Sequence, residues 1–142
     1  MLILLEKAVG FGMIGLLIEC LFTGFYSVLI HRNIHGRCTT FLTMVPIYAF
    51  AGLVLEALRT GFVGCSQFFL IPLYVVVIYA TELLFGLLYR VVTKVAPWDY
   101  GRSRWTVVGL INFKYLPFWF GLACAFNPLA AGLHHILHVI NL

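Results

Sequence analysis

Charge is what this sequence has least of. Only 10% of its 142 residues are Asp, Glu, Lys or Arg, against roughly 25% in ordinary soluble domains. A water-soluble domain of this size needs a polar surface, so that class is excluded. The four cysteines, Cys20, Cys38, Cys65 and Cys124, form no CxxC and no metal-ligand spacing. No disulfide framework is expected, and Cys20 and Cys124 sit in apolar runs where a thiol acts as a small hydrophobe. There is no Walker loop, HExxH or nucleophile elbow. Gly10-Phe11-Gly12-Met13-Ile14-Gly15 spells GxGxxG, but no strand precedes it, so a dinucleotide site is excluded. Its glycines are expected to let helices pack closely. Lys and Arg lie between apolar runs rather than on one polar face, which excludes nucleic acid as a partner.

Apolar length is what the chain has instead. Hydrophobic residues make up 63% of it, and the mean hydropathy is +1.03. The run from Ala8 to Ile30 is too long for the core of a cleavable signal, and no small-residue cleavage pattern follows it. It is long enough to span a bilayer. Three more segments qualify, Phe41 to Leu58, about Phe68 to Arg90, and Val107 to Phe126. Open strand edges cannot be satisfied in lipid, so the spans must be helices. The fold class expected is all-α, one transmembrane domain over 1–142 with a bundle of four helices. The tail 127–142 is shorter than a span. Leu129, Leu133, Ile136, Leu137 and Ile140 recur at helical spacing there, which predicts a C-terminal amphipathic helix at the membrane surface, or a re-entrant segment.

Basic residues set the orientation. The first and third loops hold Arg32, Arg37, Arg90, Lys94, Arg102 and Arg104, while the opposite side holds Lys7 and Arg59. The positive-inside rule therefore places both termini on the non-cytoplasmic side.

The spans repeat. Glu19-x-Leu21-Phe22-x-x-x-Tyr26 matches Glu82-x-Leu84-Phe85-x-x-x-Tyr89, and Pro46-Ile47-Tyr48 is echoed by Pro117-Phe118-Trp119. Two pseudo-repeated hairpins follow, sharing one orientation. The second is longer, and the excess falls around Pro97-Trp98-Asp99-Tyr100.

Glu19 and Glu82 are the residues most expected to carry function, because an intramembrane carboxylate is costly and faces a partner, a water path or the bundle interior. Lys114, counted from a span that starts at Val107, lies at matching depth, roughly 10–16 Å from the cytoplasmic ends. It is expected to face at least one of them, although a lysine can also snorkel to the interface. Tyr26 and Tyr89 lie on the same helical faces as the glutamates. These five side chains either line a site for a proton, cation or headgroup, or form a buried cluster that fixes packing. Trp98, Asp99, Tyr100, Arg102, Arg104 and Trp105 form a loop suited to the headgroup region, either as an anchor or as a phosphate cradle. His31/His35 and His134/His138 are i,i+4 pairs that the expected topology puts on opposite sides, so no metal site is expected from them.

In this order, Glu19, Phe22-Thr23, Pro46-Ile47-Tyr48, Glu82, Pro97-Trp98-Asp99-Tyr100, Gly109-Leu110-Ile111 and Trp119-Phe120 resemble the transmembrane protein 229 family. That family is similar to bacterial proteins labelled putative ABC-transporter type IV. The resemblance runs from Gly15 to about Phe120. Gly101 departs from it, since the family usually has serine after the tyrosine. It implies a small polytopic membrane protein with no catalytic residues to carry over, and any ATP-driven role would need a separate ATPase; no cofactor is expected. The function expected is a permease-like component for a small or lipidic solute, with a homo-oligomer or a partner membrane subunit, and membrane lipids, as its partners. A structural or regulatory subunit, and an enzyme acting on lipid headgroups through Asp99, Arg102 and Arg104, are the alternatives.

Overall fold

The computed structural model describes residues 2–32 and 35–140, and the side chains of these except Leu2 and His31. The His31 side chain of the His31/His35 pair, the loop residues Asn33 and Ile34, and the last two residues of the tail lie outside what is described. Four helices are described, α1 (Leu2–His31), α2 (Met44–Gly61), α3 (Gln67–Thr93) and α4 (Leu116–Ile140). Each is long and apolar enough to cross a membrane. The chain is an all-α, polytopic membrane protein.

Local chemistry sets the helix ends. Pro46 lies in the first turn of α2, where its missing N–H would have met no helical carbonyl. Ser66 caps α3, its hydroxyl accepting from the Phe68 N–H at 3.3 Å. Lys94 ends α3 in the left-handed region, at φ 60°.

The largest difference from the sequence reading is at α4. The span expected over 107–126 and the separate helix expected after it are one helix, Leu116–Ile140, which runs through Pro128. The residues before it are not helical. Thr106–Val107 (β1) pairs antiparallel with Ile111–Asn112 (β2), and Phe113–Tyr115 forms a 3-10 turn. Val108 at φ 55° and Gly109 at φ 74° make the turn between the strands. Asn112 then caps the 3-10 turn, its side chain accepting from the Lys114 N–H at 3.0 Å. The apolar character that suggested an earlier start belongs to this hairpin.

The chain forms two compact units. Unit 1 is Met1–Leu53 with Leu133–Leu142, and unit 2 is Val54–Gly132. Their boundary falls inside α2 and α4 rather than between the second and third spans.

In unit 1, the glycines of α1 are notches for its neighbours. A Cβ on Gly10 would collide with the side chain of Leu133, one on Gly12 would lie 2.9 Å from Val45 Cγ1, and one on Gly15 would lie 2.5 Å from Tyr48 Cβ. Phe11 points the other way into a notch at Gly52, where a Cβ would be 2.5 Å from it. The far side of α1 is a stripe: Leu5, Val9, Met13, Leu17, Leu21, Phe25 and Leu29 recur every four residues, each more than half exposed. Lipid, not water, is the solvent such a stripe fits.

In unit 2, Tyr74 is fully buried. Its ring meets Phe126 edge-on at 5.3 Å, and its hydroxyl donates to Asn127 Oδ1 at 3.2 Å. Asn127 Nδ2 donates in turn to Gln67 Oε1 at 2.9 Å. Leu110, also fully buried, fills the space left by Gly86.

The notches set up a paired test. Gly15→Ala overpacks against Tyr48 and is expected to destabilise the protein by about 1–3 kcal/mol. Gly121→Ala, with nothing within 4 Å of the added Cβ, should change stability by less than about 0.5 kcal/mol. Thermal unfolding in detergent reads both; equal melting of the two variants would rule out the Gly15 notch.

Candidate functional site

The first intramembrane carboxylate is held. Glu19, half-buried in α1, accepts a hydrogen bond from the hydroxyl of Thr40 in the extended segment before α2. One turn on, Thr23 Oγ1 donates to the Glu19 carbonyl at 2.9 Å and accepts from the Thr39 N–H at 3.1 Å. The segment is therefore tied to α1 by its side chains. Tyr26, on the same face in sequence, is exposed, its ring 6.3 Å from that of Phe22.

Glu82 is different. Its Oε2 is buried and has no hydrogen-bond partner among the described residues. Two other side-chain atoms of unit 2 share that state, the hydroxyl of Tyr79 and the indole Nε1 of Trp119. Tyr79 is one helical turn from Glu82 on α3, so the two side chains share a face. By helical rise Trp119 lies at a matching level on α4. Tyr74 and Asn127 are bonded across the two helices; Glu82 follows Tyr74 by eight residues and Trp119 precedes Asn127 by eight. Each is thus about 12 Å along its helix from that bond, and the Gly86–Leu110 contact fits the two segments running in opposite directions.

Lys114 does not complete this group. It is exposed in the 3-10 turn, and among the described residues it forms no ion pair with Glu82. The reason is the later start of α4, which leaves Lys114 outside the helix. Tyr89 is half-buried, and its carbonyl accepts from Thr93 Oγ1 at 2.8 Å.

The loop residues are brought together, chiefly by the main chain. Trp98 Nε1 donates to the Leu110 carbonyl at 2.9 Å, and the Tyr100 N–H donates to the Gly109 carbonyl at 2.9 Å. Asp99 Oδ1 accepts from the Gly101 N–H at 2.8 Å, which closes a turn on the left-handed Gly101. That conformation accounts for glycine where the family usually has serine. Asp99 also lies where a Cβ on Gly109 would be, 2.5 Å away. From α3, Arg90 Nη2 donates to the Val108 carbonyl at 3.1 Å. Arg102 and Arg104 remain exposed, the Arg104 guanidinium lying 5.3 Å from the Trp105 ring centre.

Sequence reasoning missed a buried ion pair. Glu56, only 6% exposed, accepts from Arg59 at 2.8 Å and 3.0 Å through both carboxylate oxygens. The i,i+3 spacing of opposite charges was the available signal, hidden because Arg59 reads as part of the loop. Tyr79 and Trp119 carry no sequence signal as polar residues, since aromatics are ordinary in spans. Among the described residues no group of three His, Cys, Asp or Glu is placed to hold a metal ion.

If Gly109 is what lets Asp99 close the loop, Gly109→Ala should open it, costing about 1–3 kcal/mol for a side chain forced to positive φ. Trypsin should then cleave after Arg102 or Arg104 faster than in the unaltered protein. An unchanged cleavage rate would show that the loop does not depend on this contact.

A family model described as Putative ABC-transporter type IV matches residues 9–140. No solved structure matches the chain.

Proposed function

Because the chain belongs to the putative ABC-transporter type IV family, we propose that this multi-pass membrane protein is a permease-like component that binds or moves a small or lipidic solute at Glu82. One observation carries the reading: Glu82 Oε2 is buried in a spanning helix with no partner among the described residues. Leaving a buried polar group unpaired costs about 1–3 kcal/mol, and more when it is charged. A solute that brings its own donor removes that cost. Glu82 lies about 16 Å from the C-terminal end of α3, deep enough for the solute to be taken out of water on either route of approach.

The neighbouring groups fit the same role. The Tyr79 hydroxyl can donate or accept and the Trp119 N–H can donate, so a solute at this level meets three directional contacts. The orientation we adopt puts the hairpin loop and its arginines on the cytoplasmic side. Asp99 is engaged in the turn at Gly101, and this supports an anchoring part for the loop over a catalytic one.

Native mass spectrometry of the protein released from a mild detergent tests the proposal whatever the solute is. The unaltered chain should carry a discrete bound mass, and Glu82→Gln should lose it while keeping its helix content and melting temperature. A ligand-free mass, or an adduct that survives Glu82→Gln, would favour a structural subunit instead.

A further inference from the structure

Each unit folds a non-helical segment back onto a spanning helix, by different contacts at matching positions. In unit 1 the Thr39 N–H meets Thr23 and the Thr40 hydroxyl meets Glu19. In unit 2 Leu110 packs on Gly86, and β2, which begins at Ile111, lies against α3. The repeat that matches Glu19 to Glu82 matches Thr23 to Gly86. The echo that matches Pro46 to Pro117 matches Thr39 to Leu110 and Thr40 to Ile111. By this register Ile111 stands where Thr40 stands, a hydrocarbon in place of the hydroxyl that meets Glu19.

We propose that the two carboxylates have divided their work, Glu19 positioning the segment before α2, and Glu82 receiving a small organic cation of the protonated-amine class. The class follows from what surrounds Glu82 and rests on its being the solute site. The ionised form of a carboxylate in a spanning helix is stabilised by a compensating positive charge. Among the described residues Lys114 does not supply one, and Arg59 is held by Glu56. In this register Ile111 offers no side-chain donor, and the hydrogen bond falls to the solute. The adjoining aromatic pairs are Tyr79 with Phe113, ring centres 5.5 Å apart, and Phe118 with Trp119 at 4.9 Å. Aromatic faces attract cations, most of all where water is excluded. Tyr79, only 9% exposed, has a hydroxyl oxygen able to accept a second N–H from an ammonium group. An anion would meet the carboxylate as a like charge, and a neutral alcohol would leave the charge uncompensated.

Three probes of one shape and different charge, n-butylammonium, n-butanol and n-butyrate, decide the class when titrated into the full chain in detergent, with binding followed by calorimetry. Butylammonium should bind, and butanol and butyrate should not. Ile111→Thr restores the missing hydroxyl and should weaken butylammonium by about tenfold or more, as should Glu82→Gln. Thr40→Val should lower the melting temperature and leave the affinity in place. Equal binding of butanol or butyrate overturns the amine class, and full affinity in Ile111→Thr overturns the division of roles. A neutral or anionic natural adduct that Glu82→Gln removes would refute this inference while leaving the solute site standing; a Glu82→Gln chain that binds every probe and retains every adduct would refute both.

Discussion

The solvent is the constraint on which everything else in this structure depends. In hydrocarbon an exposed leucine costs nothing, while an unpaired polar atom is expensive. The outer stripe of α1 uses the first half of that rule. The second half explains how the polar side chains inside the spans are arranged. Glu19 has Thr40, Glu56 has Arg59, and Tyr74, Asn127 and Gln67 form a chain. Within unit 2 the buried side-chain atoms left without a partner among the described residues are Glu82 Oε2, the Tyr79 hydroxyl and Trp119 Nε1. An exception to a rule kept elsewhere in the same unit is more telling than a charged residue alone.

The loop between α3 and α4 shows how a sequence signature can be structural. Each member of Trp98-Asp99-Tyr100 and of Gly109-Leu110 gives or takes a bond or packing contact within the loop. Val108, a β-branched residue at positive φ, is the strained member, and the Arg90 guanidinium on its carbonyl helps to hold it there. The added length of the second half of the chain is thus a folded hairpin rather than slack.

Much of this was legible in the sequence. The class and the number of spans could be read because a bilayer demands long apolar runs, and little else produces them. The ends were harder. Val107 to Tyr115 is apolar enough to extend a span, yet Gly109 and Asn112 turn and cap the chain there, so Lys114 sits exposed in the 3-10 turn that leads into α4. The glutamates stood out as isolated charges, but their fates did not. Glu19 is satisfied by a hydroxyl 21 positions away in a segment with no periodicity. Glu82 is distinguished by a partner it lacks, which no local pattern records. Of the two halves of the repeat, the sequence shows the shared Glu, Phe and Tyr; the register of the segments that fold back is a property of the folded chain.

The glycine notches of α1 bear on movement. Gly12 and Gly15 each take a side chain of α2, while Phe11 of α1 enters a notch in α2 at Gly52. Such interlocking works like teeth in a rack: a slip of one residue along either helix would set a Cβ where a neighbour already sits. The α1 and α2 segments of unit 1 are therefore held against sliding past one another. Under the proposed function, this pair is the stator against which a solute is admitted.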